Sequence, residues 1–230
     1  MNKKAFIIVD GERCFYPESE GARLNKLGFG ALGVTGAEAV THPLNQMTKA
    51  AQELGIEIVH TLDKHPDQTA HFSVSPNYVN TWPKHGVDGT DGSLLHPNLL
   101  VAKLPHISTE FIKGDVAAIS PEDDTSYTGA LAHQRGNTEV LPDYLRRHGV
   151  TAVIIGGLAI GDGDKNPLCV DSTAIDFNRL GFDVTVLTDA TEAVLPQNRE
   201  LCFKNLGNAG IRLVTAAEAM ADVFKAYGVE

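Results

Sequence analysis

Four short strand-like segments of this chain, of which AFIIV and TAVIIG are continuously apolar, each end on or lead to a residue with chemistry. AFIIV stops at Asp10, EIVHTL at Asp63 and STEFI at Lys113, and TAVIIGGLA leads on to Cys169. A strand that is apolar at every position, not at every second one, has no face that tolerates water. It belongs in a sheet covered by helices on both sides. Stretches of helical character separate these strands around Pro43 to Leu54, Val140 to Arg147, Gln197 to Leu206 and Ala216 to about Ala226. A further helix, VDSTAIDFNRLG, follows Cys169, and FDVTVLTDAT and IRLVTA read as two more strands. This βαβ alternation predicts an α/β protein, a three-layer α/β/α fold around a mostly parallel central sheet. In the first of the helices Leu44, Met47, Ala51 and Leu54 mark one face, Pro43 suits the first turn and Gly55 ends it.

No linker divides the 230 residues, so a single domain over 1–230 is expected, with two stretches that look inserted. One is 18–36, which carries five glycines and few apolar side chains; the other is 160–168, IGDGDKNPL. The D-G-D of the second lacks the spaced ligands and terminal Glu of a calcium-binding EF-hand and reads as a surface loop. Cys14, Cys169 and Cys202 have no paired spacing, which argues against a disulfide framework and a CxxC zinc site. A net charge of −10 and the lack of a basic stretch interleaved with aromatics argue against nucleic acid as a partner. No apolar run reaches the length of a membrane span, and AFIIV is too short for a signal-peptide core. A cytoplasmic protein with no membrane partner is therefore expected.

A second pattern concerns metals. Asp63, His65 and His71 fall within TLDKHPDQTAH, and His85 follows in TWPKH. One carboxylate and three imidazoles suit a borderline divalent ion, zinc first, with iron or manganese as alternatives. Asp63 and His65 are two apart on an extended segment and point to one side, whereas His71 and His85 return on loops rich in Pro, Asn, Ser and Thr.

In a parallel sheet the site lies beyond the carboxyl ends of the strands, which is where Asp10, Asp63, Lys113 and Cys169 fall. Singly, each has an ordinary explanation: a turn cap, a solvated lysine, a small core cysteine. Together they form the set a thiolate nucleophile needs. Asp10 can take and return the proton, Lys113 can favour the anion, and the N-terminus of the following helix can lower the cysteine pKa.

Over most of its length the chain resembles the nicotinamidase/pyrazinamidase branch of the isochorismatase-like cysteine hydrolases. The residues that carry the resemblance are IIVD-x-x-x-x-F at the first strand, D-K-H-x₅-H-F-S followed by W-P-x-H, the K-G of FIKG, DTSYTG, and GGLA followed by CVDSTAIDF. The resemblance implies Asp10, Lys113 and Cys169 as catalytic residues and the amides of Ala159 and Cys169 as the oxyanion hole, with a cis peptide at Leu158-Ala159. It also implies Phe15, Trp82 and Tyr127 against the substrate, and Asp63, His65, His71 and His85 on one metal ion that positions it. The implied substrate is nicotinamide, converted to nicotinate and ammonia through a cysteine thioester in NAD salvage, with pyrazinamide also hydrolysed; a homo-oligomer is left open. The alternatives are a hydrolase of another small amide and an inactive ligand-binding homologue. Three departures stand out: GERCF replaces the family's usual Gln and Asn or Asp after the first Asp, and both inserted stretches are present. The second separates Ala159 from Cys169, and its Gly, Pro, Asp and Lys content predicts a loop that bulges outward while its ends return to a turn.

Overall fold

The computed structural model describes residues 3–229. Among these residues six strands form one parallel sheet: β1 (Lys3–Val9), β2 (Glu57–Asp63), β3 (Thr109–Lys113), β4 (Val150–Ile160), β5 (Asp183–Ala193) and β6 (Arg212–Val214). Their order across the sheet is β3-β2-β1-β4-β5-β6, so the direction of winding reverses between β1 and β4. That reversal opens a crevice at the carboxyl ends of the central strands. The helices are α1 (Glu18–Leu24), α2 (Ala37–Glu53), α3 (Leu100–Lys103), α4 (Leu141–Arg147), α5 (Cys169–Arg179), α6 (Arg199–Asn208) and α7 (Ala216–Tyr227).

Alternation along β1 explains the layering. Ala5, Ile7 and Val9 face one side, where they join Leu145 of α4, Phe177 of α5 and Leu206 of α6. Phe6 and Ile8 face the other, where they join Leu44 and Met47 of α2 and Val223 of α7. Both faces of the strand are thus buried, as its unbroken apolar run requires. The sheet is wholly parallel, and Asp63 pairs in register with Lys113 as Val9 does with Gly157.

One detail differs from the sequence reading. Pro43 lies well inside α2, not in its first turn, because the helix starts at Ala37 and the apolar face extends back through Val40. Gly36 caps that start with φ 85°, a conformation open to glycine, and Gly55 follows the end with φ 64°. The glycine-rich stretch 18–36 is not all loop, for it opens with α1. Few apolar residues announce this helix. It docks through a polar contact: Glu20, which accepts from Arg23 of the same helix at 2.8 Å, lies 3.3 Å from buried His96, whose ring packs 4.1 Å from that of Tyr16.

Candidate active site

β1, β2, β3 and the turn after β4 deliver Asp10, Asp63, Lys113 and Cys169 to one place. Asp10 follows β1 with φ 47°, which is unusual for a residue with a Cβ and is held by its surroundings. Its N–H donates to Thr61 O at 3.1 Å, and the Thr61 hydroxyl donates to its Oδ1 at 2.8 Å. Lys113 Nζ lies 2.7 Å from Asp10 Oδ2 and 3.5 Å from Cys169 Sγ, and it also contacts Asp63 Oδ1. One buried ammonium is thus shared by two buried carboxylates and a thiol. Gly114, which follows, has φ 70°; a Cβ there would stand 2.8 Å from His65 Cε1 and 2.9 Å from Ser126 Cβ, so glycine makes room for the imidazole.

The charges settle the protonation of the group. Burial pushes the Asp10 carboxyl up to about 6, with Lys113 opposing and Asp63 adding to the rise. Burial also works against the Lys113 ammonium, but Asp10 and Asp63 outweigh it and hold its pKa well above the ordinary value. The Cys169 thiol is pushed well above its ordinary value, first by its desolvated surroundings and then by Asp10, with Lys113 pulling the other way. This corrects the expectation of a cysteine pKa lowered by Lys113 and the helix N-terminus: the lysine's charge is already matched by two carboxylates. The resting group is a thiol beside a carboxylate that can accept its proton.

The histidines converge beside it. His65, His71 and His85 each bring a ring nitrogen within 4.8 Å of the others, and all three are buried. His65 is fixed by its backbone, its N–H donating to Gly86 O and its carbonyl accepting from Asp88 N, both at 2.9 Å. Its Nε2 is buried without a hydrogen-bond partner and lies 3.7 Å from Asp63 Oδ2. His85 directs Nδ1 to Pro83 O at 2.7 Å and Nε2 toward the same Asp63 oxygen at 3.9 Å. Burial and the charge of His65 bring the His85 pKa down to about 3, which keeps it neutral, the form that binds metals. His71 Nδ1 lies 2.6 Å from Asp124 Oδ2, which leaves Nε2 free to act as a ligand. Asp63 therefore faces Lys113 with one oxygen and the histidines with the other. Burial disfavours its ionised form, but Lys113 and the histidines prevail and hold its pKa below the usual carboxylate range.

A narrow cavity of ≈ 30 Å³ opens onto both groups, and its walls include Asp63, His71, His85, Ala159 and Cys169 together with Phe15, Trp82 and Tyr127. The Trp82 indole N–H donates to Tyr127 Oη at 2.7 Å, fixing both rings. Asp10, Lys113 and His65 stand behind the walls. The peptide bond Leu158-Ala159 is cis. Leu32, Ser126, Leu168 and Val194 also line the cavity, so each stretch that looked inserted lends it one leucine. Sequence reasoning singled out neither Thr61, which orients Asp10, nor Asp124, which orients His71. Asp124 could have been found, since it opens the same DTSYTG run as Tyr127.

Residues 129–218 match the Isochorismatase domain family. The nicotinamidase/pyrazinamidase of Mycobacterium tuberculosis is 31% identical over 217 residues, which cover 93% of this chain and all of the relative. The nicotinamidase of Escherichia coli is 29% identical, with 82% of this chain and 89% of the relative covered. Among solved structures, the pyrazinamidase of Pyrococcus horikoshii in complex with zinc superposes with a TM-score of 0.70 at 28% identity, over 93% of this chain and 99% of that one.

Proposed function

Because the chain belongs to the nicotinamidase/pyrazinamidase family of isochorismatase-like hydrolases, we propose that it hydrolyses nicotinamide to nicotinate and ammonia through a thioester on Cys169, serving NAD salvage. The observation that carries this reading is the meeting of a thiol, a buried carboxylate bridged to it by Lys113 and a three-histidine cluster around one narrow cavity. Phe15 and Trp82, in the walls of that cavity, supply aromatic surface for a flat ring.

Phe15 and Trp82 hold the substrate ring and bring the carboxamide to Cys169. Asp10 takes the thiol proton as sulfur bonds to the carboxamide carbon, and the carbonyl electron pair moves onto oxygen. The N–H groups of Ala159 and Cys169 hold that oxyanion. When the intermediate collapses, the C–N bond breaks, Asp10 returns the proton to nitrogen and ammonia leaves. Water then attacks the thioester with Asp10 again as base, which frees nicotinate and restores the thiol. Lys113 stays protonated throughout and keeps Asp10 ionised and oriented.

Asp63, His65, His71 and His85 fit a divalent ion: the unpartnered buried Nε2 of His65, the outward-tied Nδ1 atoms of His71 and His85 and a facing carboxylate oxygen make a suitable donor set. Zinc is the first choice, with iron or manganese as alternatives; when bound, such an ion supplies a Lewis-acid position for a ring nitrogen. Among the described residues no helix is long and apolar enough to cross a membrane.

The test is ammonia release by the purified, zinc-loaded protein. Nicotinamide and pyrazinamide should both be turned over, and benzamide, which lacks the ring nitrogen, poorly. Equal kcat/KM for benzamide and nicotinamide would refute orientation through that nitrogen. No ammonia from either pyridine-type amide, with the substrate still bound, would favour an inactive ligand-binding protein.

A further inference from the structure

The loop between β4 and α5 is unusual for what it must accomplish. The amides of Ala159 and Cys169 have to serve one oxyanion, yet the chain between them runs out through GDGDKNPL. A loop of this length can settle in many ways. Here its neck is closed: a Cβ on Gly161 would stand 2.1 Å from Asn166 O and 3.0 Å from Leu168 N. The outer part is braced on itself and on α6. Asp162 Oδ1 accepts from the N–H groups of Asp164 and Asn166, both at 2.9 Å, and Asn205 Nδ2 donates to Asp162 O at 2.8 Å.

At the neck sits Asp171, fully buried in the first turn of α5. Its Oδ1 accepts from Gly161 N at 3.1 Å and from Leu168 N at 2.7 Å. Its Oδ2 accepts from Gly163 N at 2.8 Å, and Cys202 Sγ lies 3.6 Å away. One oxygen therefore joins the residue two beyond Ala159 to the residue just before Cys169. We infer that Asp171 is a positioning residue: its carboxylate clamps the end of β4 to the start of α5 and so holds the two oxyanion amides in register across the inserted loop. Burial pushes this carboxyl up to about 6 while the three amides pull it down, so the acceptor form prevails at neutral pH. A buried carboxylate is a costly way to close a turn unless every lone pair is used. A family member with a short turn at this point has no need of it.

The inference rests on the nicotinamidase reading and is tested with Asp171→Asn, which keeps the shape but turns one acceptor into a donor facing an N–H. Loss of alignment of one oxyanion donor should lower kcat for nicotinamide by roughly 10–100-fold, part of the full ~10²–10³ for a missing donor, with KM changed little. The distinguishing readout is pyridine-3-carbaldehyde. Cys169 sulfur bonds to its carbon, the C=O pair moves onto oxygen, and the thiol proton passes to Asp10, so the adduct needs the same two amides; nicotinate forms no adduct. Aldehyde affinity should fall in parallel with kcat while nicotinate affinity holds. Equal weakening of both ligands, or an unchanged kcat, overturns the inference. Hydrogen exchange on the wild type tests it without a variant: the Gly161, Gly163 and Leu168 amides should exchange at least ~100-fold slower than unstructured chain. Unprotected amides overturn the clamp, whereas a wild type that releases no ammonia overturns the functional reading instead.

Discussion

Lys113→Met keeps the length and apolar stem of the side chain and removes the cation shared by Asp10, Asp63 and Cys169. At 2.7 Å from Asp10, and with an effective dielectric constant of about 20, the ammonium contributes a gross attraction of ~6 kcal/mol. Desolvation of the lysine offsets much of this, and breaking such a buried pair costs about 3–5 kcal/mol of stability. The larger effect falls on Asp10. Its pKa stands at about 6 only because Lys113 opposes burial and the repulsion from Asp63. With the lysine gone, burial and Asp63 both raise it, and only the hydrogen bond with Cys169 still opposes them. Even ~2 kcal/mol of lost attraction shifts a titration by more than one pH unit, which carries Asp10 past neutrality and leaves it protonated when the thiol needs a base. The assay is kcat/KM for nicotinamide between pH 5 and 9.5, with urea unfolding and zinc content measured in parallel. The wild type should gain activity through about pH 6 as Asp10 ionises; Lys113→Met should gain it only above neutrality, with activity at pH 7 down at least ~10-fold. An acid limb at the same pH in both proteins would refute the argument, since it would mean that Lys113 does not hold Asp10 ionised.

Three more outcomes are expected. Cys169→Ala should abolish turnover with zinc content and folding intact, while Cys14→Ala and Cys202→Ala keep it; turnover surviving in Cys169→Ala removes the nucleophile assignment. Asp124→Asn weakens the hold on the His71 ring and should lower zinc affinity by about 10–100-fold in competition with a chromophoric chelator; unchanged affinity would show that the 2.6 Å contact has no bearing on the ligand. Glu12 is fully buried, both its carboxylate oxygens lack a hydrogen-bond partner, and burial followed by the charges of Asp10 and Asp63 raises its pKa well above 4.5. A raised acid gives the folded state its full benefit below the unfolded pKa and loses it as pH rises toward the folded one. Glu12→Gln should therefore become progressively more stable relative to the wild type as pH rises above 4.5. A stability difference that stays flat with pH would show that Glu12 is not buried as an acid.

The layered α/β architecture and the gathering place of the reactive residues were legible in the sequence, because both follow from local patterns. Unbroken apolarity in AFIIV and TAVIIGG requires cover on both faces, and parallel strands bring Asp10, Asp63 and Lys113 to a common edge whatever the helices do. The rest depends on pairs distant in the chain. Helix α1 has little apolar periodicity and docks through Glu20 on His96, so nothing within its own seven residues announces it. Thr61 matters only because β2 lies beside β1, and Asp124 only because its loop folds back over His71. The clamp of Asp171 on Gly161, Gly163 and Leu168 is shorter in sequence, yet it needs the loop's closed neck before those amides face one carboxylate. Protonation shows the division most plainly. From the sequence, a lysine and a helix N-terminus near Cys169 argue for a lowered thiol pKa; in the fold, Asp10 and Asp63 claim that lysine and burial raises the thiol. Hydrophobic patterning is carried by neighbouring residues and can be read one segment at a time. Desolvation and Coulomb energy depend on every charge within a few ångströms, and only the tertiary structure decides which charges those are.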